Sequence, residues 1–175
     1  MASTGLRLTV DPGVREGLDL LLRALEVASG ETLLTSVLAV SADGTRLHCL
    51  AGPGLAPEYC AAIDGGPVAP NAGSCGTAAY LGHEVFVTDI ARDPNWTRYR
   101  EVALTHGLRS CWSTPIKDAG DRVVATFAVY HREPRSPTPR EIEAIRLASS
   151  GLLSILAPAP RQIAPGRAAA AAGGD

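Results

Sequence analysis

Between Asp11 and Ser29 the apolar positions Val14, Leu18, Leu21, Leu22 and Leu25 share one side of a helical period, behind a capping candidate, Asp11, and a proline at the first helical position. The pattern predicts an amphipathic helix closed by Gly30. Leu33 to Val40 is short and β-rich, and Asp43-Gly44 is a strong hairpin turn, so Leu33–Val40 and Thr45–Leu50 are expected to pair as antiparallel strands. Pro57 to Ile63 suits a short helix, and Gly65 to Gly73, dominated by Gly and Pro, is expected to be an irregular pocket wall. Ser74 reads as the cap of a helix running to Leu81 with Gly82 as its stop, followed by an alternating strand from Glu84 to Ile90. Asp93-Pro94 opens a further helix ending near Gly107. Ser110–Ile116 and Arg122–Tyr130 read as strands around the turn at residues 118–121, and Thr138-Pro139-Arg140-Glu141 starts a last helix with the stripe Ile142, Ile145, Ala148, Leu152 and Leu156. The strands are joined by hairpins and irregular excursions, not by βαβ crossovers, which predicts an α+β fold on an antiparallel sheet. The first and last helices are expected on one face and a cavity on the other.

Composition narrows the functional classes. The chain has 175 residues, 46% hydrophobic and 19% charged, which suits one domain, taken as residues 11–157, with a Pro/Ala/Gly tail at 158–175 expected to be disordered. Its 16 basic and 18 acidic residues nearly cancel, so neither nucleic acid nor an anionic membrane is an expected partner. Lys117 is the only lysine, which leaves little room for lysine-based chemistry. No apolar run approaches the roughly 20 residues of a membrane helix, and no signal-peptide pattern is present; a cytoplasmic location is expected. The four cysteines, Cys49, Cys60, Cys75 and Cys111, form no C-x-x-C pair and are expected as free thiols.

Several linked segments carry a family resemblance: Gly73-Ser74-Cys75-Gly76-Thr77-Ala78-Ala79-Tyr80, Val87-Thr88-Asp89-Ile90, Asp93-Pro94-Asn95-Trp96, and residues 106–116 from His106 through Cys111-Trp112 to Ile116. Together they resemble a GAF domain, of the kind found in bacterial histidine kinases and cyclic-di-GMP enzymes, over residues 11–157. The resemblance implies a six-stranded antiparallel sheet, a ligand pocket under the middle helices and dimerisation through the terminal helices. In size, and in the run from Cys75 to Trp112, the chain is also similar to GAF nitrate receptors of two-component kinases. That similarity implies a non-enzymatic sensor with a small-molecule ligand such as nitrate and a histidine kinase or other signalling protein as partner.

The candidate ligand residues are Ser74, Cys75 and Gly76, whose N–H groups open a helix and suit a small anion, with Tyr80, Trp96 and Trp112 as walls and Asp89 bracing the loop beside them. The plainer reading gives the glycines to tight turns, Asp89 to capping and the two tryptophans to core filling. An enzymatic alternative rests on Cys75, because Gly-Ser-Cys-Gly-Thr is similar to a segment of GAF-type free methionine sulfoxide reductases, although Cys49, Cys60 and Cys111 do not match that family's other active-site positions. A Cys75–Cys111 redox switch needs the two residues within disulfide distance. A third alternative is a ligand-free interaction scaffold. His48, His83, His106 and His131 are dispersed, so no metal and no cofactor is expected; a bilin site would need a Cys-His step and a cyclic-nucleotide site an Asn-Lys signature, and neither is present.

Overall fold

A computed structural model describes residues 11–156 of the chain. Six strands make one antiparallel sheet: β1 (Leu33–Val40), β2 (Arg46–Ala51), β3 (Gly66–Pro67), β4 (Val85–Val87), β5 (Ser110–Lys117) and β6 (Val123–His131). Their spatial order is β3-β2-β1-β6-β5-β4, which brings the two ends of the chain's strand sequence together as the central β1–β6 pair. Five α-helices accompany them: α1 (Pro12–Ala28), α2 (Pro57–Ile63), α3 (Gly73–Leu81), α4 (Arg100–Thr105) and α5 (Pro139–Leu156), with a 3-10 turn at Pro94–Trp96. This is the α+β architecture expected from the residue pattern. The expected tail at 158–175 lies outside the described residues.

The local signals act as their chemistry suggests. Asp11 caps α1 by accepting from the Gly13 N–H at 2.7 Å. At the start of α5 the Glu141 carboxylate accepts from the Thr138 N–H and hydroxyl, both at 2.8 Å, while the Glu141 N–H donates to the Thr138 hydroxyl at 3.3 Å, a reciprocal capping box. Gly82 closes α3 at φ 70°, where a Cβ would be strained.

Four expectations change. The Gly65–Gly73 stretch is not wholly irregular, because Gly66–Pro67 adds a short edge strand to β2. Ser74 is not the cap of α3: the helix begins at Gly73 behind Ala72, and no side chain caps it. The strand expected from Glu84 to Ile90 pairs only over Val85–Val87, because it is a sheet edge bonded to β5 alone and Asp89 turns the chain away. The helix expected from Asp93 to Gly107 divides into the 3-10 turn and α4, with Trp96 and Tyr99 both turned into the core in the interval.

Period-two alternation sends the strand side chains to two separate layers. On one face, α1 and α5 pack Leu18, Leu22, Ile145 and Leu152 against Val37, Phe127, Val129 and Trp112. Each of those leucines is worth about 1.5–3 kcal/mol in burial. The α1 stripe is completed by a carboxylate: Glu26 is fully buried, and accepts from the Thr35 N–H at 2.8 Å and hydroxyl at 3.0 Å, tying α1 to β1. On the other face α2, α3, α4 and the intervening loops close over Leu38, Leu47, Cys111 and Tyr130.

Candidate functional site

The second face holds a small cavity of about 30 Å³ at the N-terminal end of α3. Gly73, Ser74, Cys75 and Gly76 form its roof, Leu38, Leu47 and Tyr130 its sheet floor, and Tyr59, Ile63, Trp96 and Tyr99 its sides, with Gly66-Pro67 at the rim. Backbone proximity explains the glycines. A Cβ on Gly76 would stand 2.5 Å from the Pro67 carbonyl oxygen, and one on Gly66 would stand 2.9 Å from the Tyr99 hydroxyl. Gly73 has φ 68°, which lets the chain turn into the helix beneath the Tyr99 ring.

α3 is buried over seven consecutive residues, Gly73 to Ala79, so small side chains are what its position requires. Its first N–H groups have no side-chain cap, unlike those of α1 and α5, and lie at the cavity roof. The Ser74 hydroxyl instead bridges two elements: it donates to the Cys111 carbonyl at 3.0 Å and accepts from the Trp96 indole N–H at 3.1 Å. Trp96 is therefore fixed in orientation as well as buried. No charged side chain lines the cavity among the described residues.

Behind the roof lies a patch of buried polar atoms. Cys75 on α3 and Cys111 on β5 are buried in one cluster with Tyr130. The Ser113 and Thr126 hydroxyls, on the same face of the sheet, are fully buried and have no partner among the described residues. The Cys111 thiol, with the hydroxyls on its side of the sheet, brings the Cys75 thiol down to about 7 against the opposing effect of burial. Burial pushes Cys111 well up, and Tyr59 and Tyr130 likewise, so those three stay protonated.

Four of the seven ligand residues expected from the sequence meet here: Ser74, Cys75, Gly76 and Trp96. Three do not. Trp112 neighbours Cys111 on β5 and therefore faces the opposite layer, where it packs against His131 with ring centroids 4.4 Å apart and donates its indole N–H to the Arg135 carbonyl at 3.3 Å. Tyr80 is on the outer side of α3 and 57% exposed. Asp89 lies beyond the cavity, where it accepts from the Ala91 N–H at 3.1 Å and faces Arg109 at 3.7 Å. The residues missed, Tyr59, Tyr99 and Tyr130, come from three separate elements; for Tyr130 alone, alternation in step with β5 was a usable signal. Among the described residues no three His, Cys, Asp or Glu side chains converge as a metal site, and no helix is long and apolar enough to cross a membrane.

An α+β sheet with its small-residue helix roofing a cavity on one face and its terminal helices on the other defines the class. The GAF domain family model matches residues 13–157, and the chain belongs to that family. A sensor associated with methyl sulfide methyltransferase from Methanosarcina acetivorans is 40% identical over 114 residues, which is 65% of this chain and 11% of that much longer relative. A domain of a two-component sensor histidine kinase from Sinorhizobium meliloti superposes with TM-score 0.61 at 21% identity, covering 81% of this chain and 89% of that one. A type II free methionine-R-sulfoxide reductase from Thermoplasma acidophilum superposes with TM-score 0.66 at 10% identity, covering 82% and 92%. At such identities the solved structures speak for the fold.

Proposed function

We propose that this chain is a non-enzymatic GAF sensor that binds a small, hydrogen-bond-accepting ligand under the N-terminus of α3, with a small oxyanion such as nitrate as the favoured chemistry. The observation that carries the reading is the uncapped start of α3 at the cavity roof, where free N–H groups and the helix dipole favour an acceptor or an anion. The cavity has room for about two or three water-sized groups, so a ligand the size of nitrate requires the walls to move. Trp96 and Tyr99 would enclose it, Ser74 would sense its arrival through the hydrogen bond to Trp96, and Asp89 would brace the loop from outside. The similarity to the sensor from Methanosarcina acetivorans supports a signalling role; a cytoplasmic location and a kinase or comparable protein as partner complete the reading. Homodimerisation through the terminal helices is supported by the exposed Leu20 and Val27 on α1 and Leu147 on α5. Ligand binding transmits a signal only if it favours one arrangement of the pocket elements over another.

A reductase reading has one observation in its favour, the acidified Cys75 thiol at the cavity roof with Cys111 beside it. The two readings separate in one thermal-shift series with nitrate, nitrite, other small anions and free methionine sulfoxide. A ligand at about 100 times its Kd adds roughly 2.7 kcal/mol, and each kcal/mol moves the midpoint of a domain this size by about 2–4 °C. A saturable shift with a small anion, lost in Trp96→Phe, is the expected result. A shift with methionine sulfoxide, with turnover abolished by Cys75→Ser, would establish the enzyme instead, and a flat series would leave the fold as an interaction scaffold.

A further inference from the structure

The second cysteine pair is separate from this cavity. Cys49 on β2 and Cys60 on α2 flank the Ala51-Gly52 peptide, the Cys49 sulfur 4.0 Å from the Ala51 carbonyl and the Cys60 sulfur beside Gly52, and both line an open groove of about 1060 Å³ bordered by Arg15, His48 and Asp64. Unlike Cys75 and Cys111, these two residues are only partly buried. Their approach is fixed by the backbone around them. The Asp64 carboxylate, at the end of α2, accepts from the Cys49 N–H at 2.8 Å, and the Gly65 N–H donates to the Leu47 carbonyl at 2.8 Å, so α2 is pinned to β2 beside the sulfurs. Gly52 leaves room for Cys60, whose sulfur would stand 3.3 Å from a Cβ at that position. No hydrogen bond in the sensing cavity involves either thiol, so that site does not account for the pair.

We propose that Cys49 and Cys60 form a peroxide-reactive dithiol, a modification site in which the groove admits hydrogen peroxide and the two sulfurs close a reversible disulfide between β2 and α2. The sulfurs divide the roles. The neighbouring Cys49 thiol favours the Cys60 thiolate, whereas the nearby Cys60 and then burial hold Cys49 in its thiol form. Cys60 attacks one peroxide oxygen, forming an S–O bond and breaking O–O, and the departing hydroxide takes up a proton to become water. Cys49 then loses its proton and attacks the Cys60 sulfenic sulfur, forming S–S and releasing the second oxygen as water. Two thiols are oxidised by two electrons and one peroxide is reduced to two waters. The consequence reaches the cavity: α2 carries Tyr59 and Ile63 and β2 carries Leu47, all of them wall residues, so the bond would lock two sides of the sensing pocket together.

The test is a peroxide titration of the reduced full-length chain, read by free-thiol counting and by mass mapping of non-reduced peptides. One equivalent of peroxide is expected to remove two thiols and to link the Cys49 and Cys60 peptides, with recovery on adding dithiothreitol. Cys60→Ser should slow thiol loss by roughly tenfold or more, and Cys49→Ser should stop at a sulfenic acid on Cys60 that dimedone traps. Persistence of both thiols, linkage of any other pair, or a bond between two chains would overturn the proposal. The wild-type titration decides the matter even if a serine variant fails to fold.

Discussion

The two faces of the sheet differ in how the helices packed on them begin and in what their buried polar groups meet. Under α1 and α5, Glu26 is answered by Thr35 from β1 and by Arg23 at 3.3 Å, and the Trp112 indole reaches the Arg135 carbonyl. Under α3, the helix start is uncapped and the buried Ser113 and Thr126 hydroxyls have no partner among the described residues. Unmatched polar groups cost stability when they are sealed from water. Both faces carry that cost: Ser110 and Thr114 alternate with Cys111 and Ser113 along β5, so their unpartnered buried hydroxyls stand on the helix face with Trp112. His131 joins them, buried beside Trp112 with Nδ1 unpartnered. The faces differ instead at their helix starts: α1 and α5 are capped by side chains, whereas α3 begins uncapped at the cavity.

The largest expected effect comes from breaking the helix face at its centre. Trp112→Ala removes a ring that is fully buried between the sheet and the chain after β6, and should cost about 3–5 kcal/mol in urea unfolding. Retention of more than half the wild-type stability difference would show that the ring belongs to a looser region than its burial implies.

His131 gives a pH-dependent version of the same test. Burial, and then the Arg135 charge, lowers its pKa from 6.5 to about 4, so the folded protein holds the ring neutral while the unfolded chain protonates first. This stabilising difference is present in full above pH 6.5 and is lost as the pH falls towards 4, with a total of up to about 3 kcal/mol. Unfolding midpoints at several pH values should therefore slope more steeply in this window for the wild type than for His131→Phe, and parallel slopes would contradict it.

Glu26→Ala should cost about 2 kcal/mol by leaving the Thr35 N–H without its acceptor. Glu26→Gln retains an acceptor and should recover part of the loss. On the cavity face, Trp96→Phe keeps most of the ring and deletes the bond to Ser74, so the expected stability change is only about 1 kcal/mol while the ligand-induced thermal shift disappears. Equal loss of stability and response would erase the functional distinction between the faces. The smallest effect is expected at Tyr80, whose exposed ring should tolerate Ser within about 0.5 kcal/mol and with the ligand response intact.

Legibility divided along similar lines. The cap at Asp11, the capping box at Thr138 and the strand bounds of Leu33–Val40 could be read from the sequence because each depends on residues within a turn or two. The Gly73–Gly76 segment was legible through family resemblance, and its role as cavity roof fits its small residues. Misplacement struck Trp112 and Tyr80, which carry large aromatic groups that a pocket can use, but stand on the wrong side of their own elements. Alternation along Cys111-Trp112-Ser113 already excludes Cys111 and Trp112 from a shared face; it does not say which face holds the cavity.

The residue order by itself determined the elements and the antiparallel class, since periodicity, turns and caps are contests between neighbouring groups along the chain. The particulars of the site were decided only by tertiary packing. Tyr59, Tyr99 and Tyr130 come to line one cavity, and Cys49 and Cys60 one groove, because β2, α2, the start of α4 and the sheet centre are brought together in space. Such contacts depend on which face each element buries, and that choice follows from the summed burial of the whole core rather than from any local run of residues.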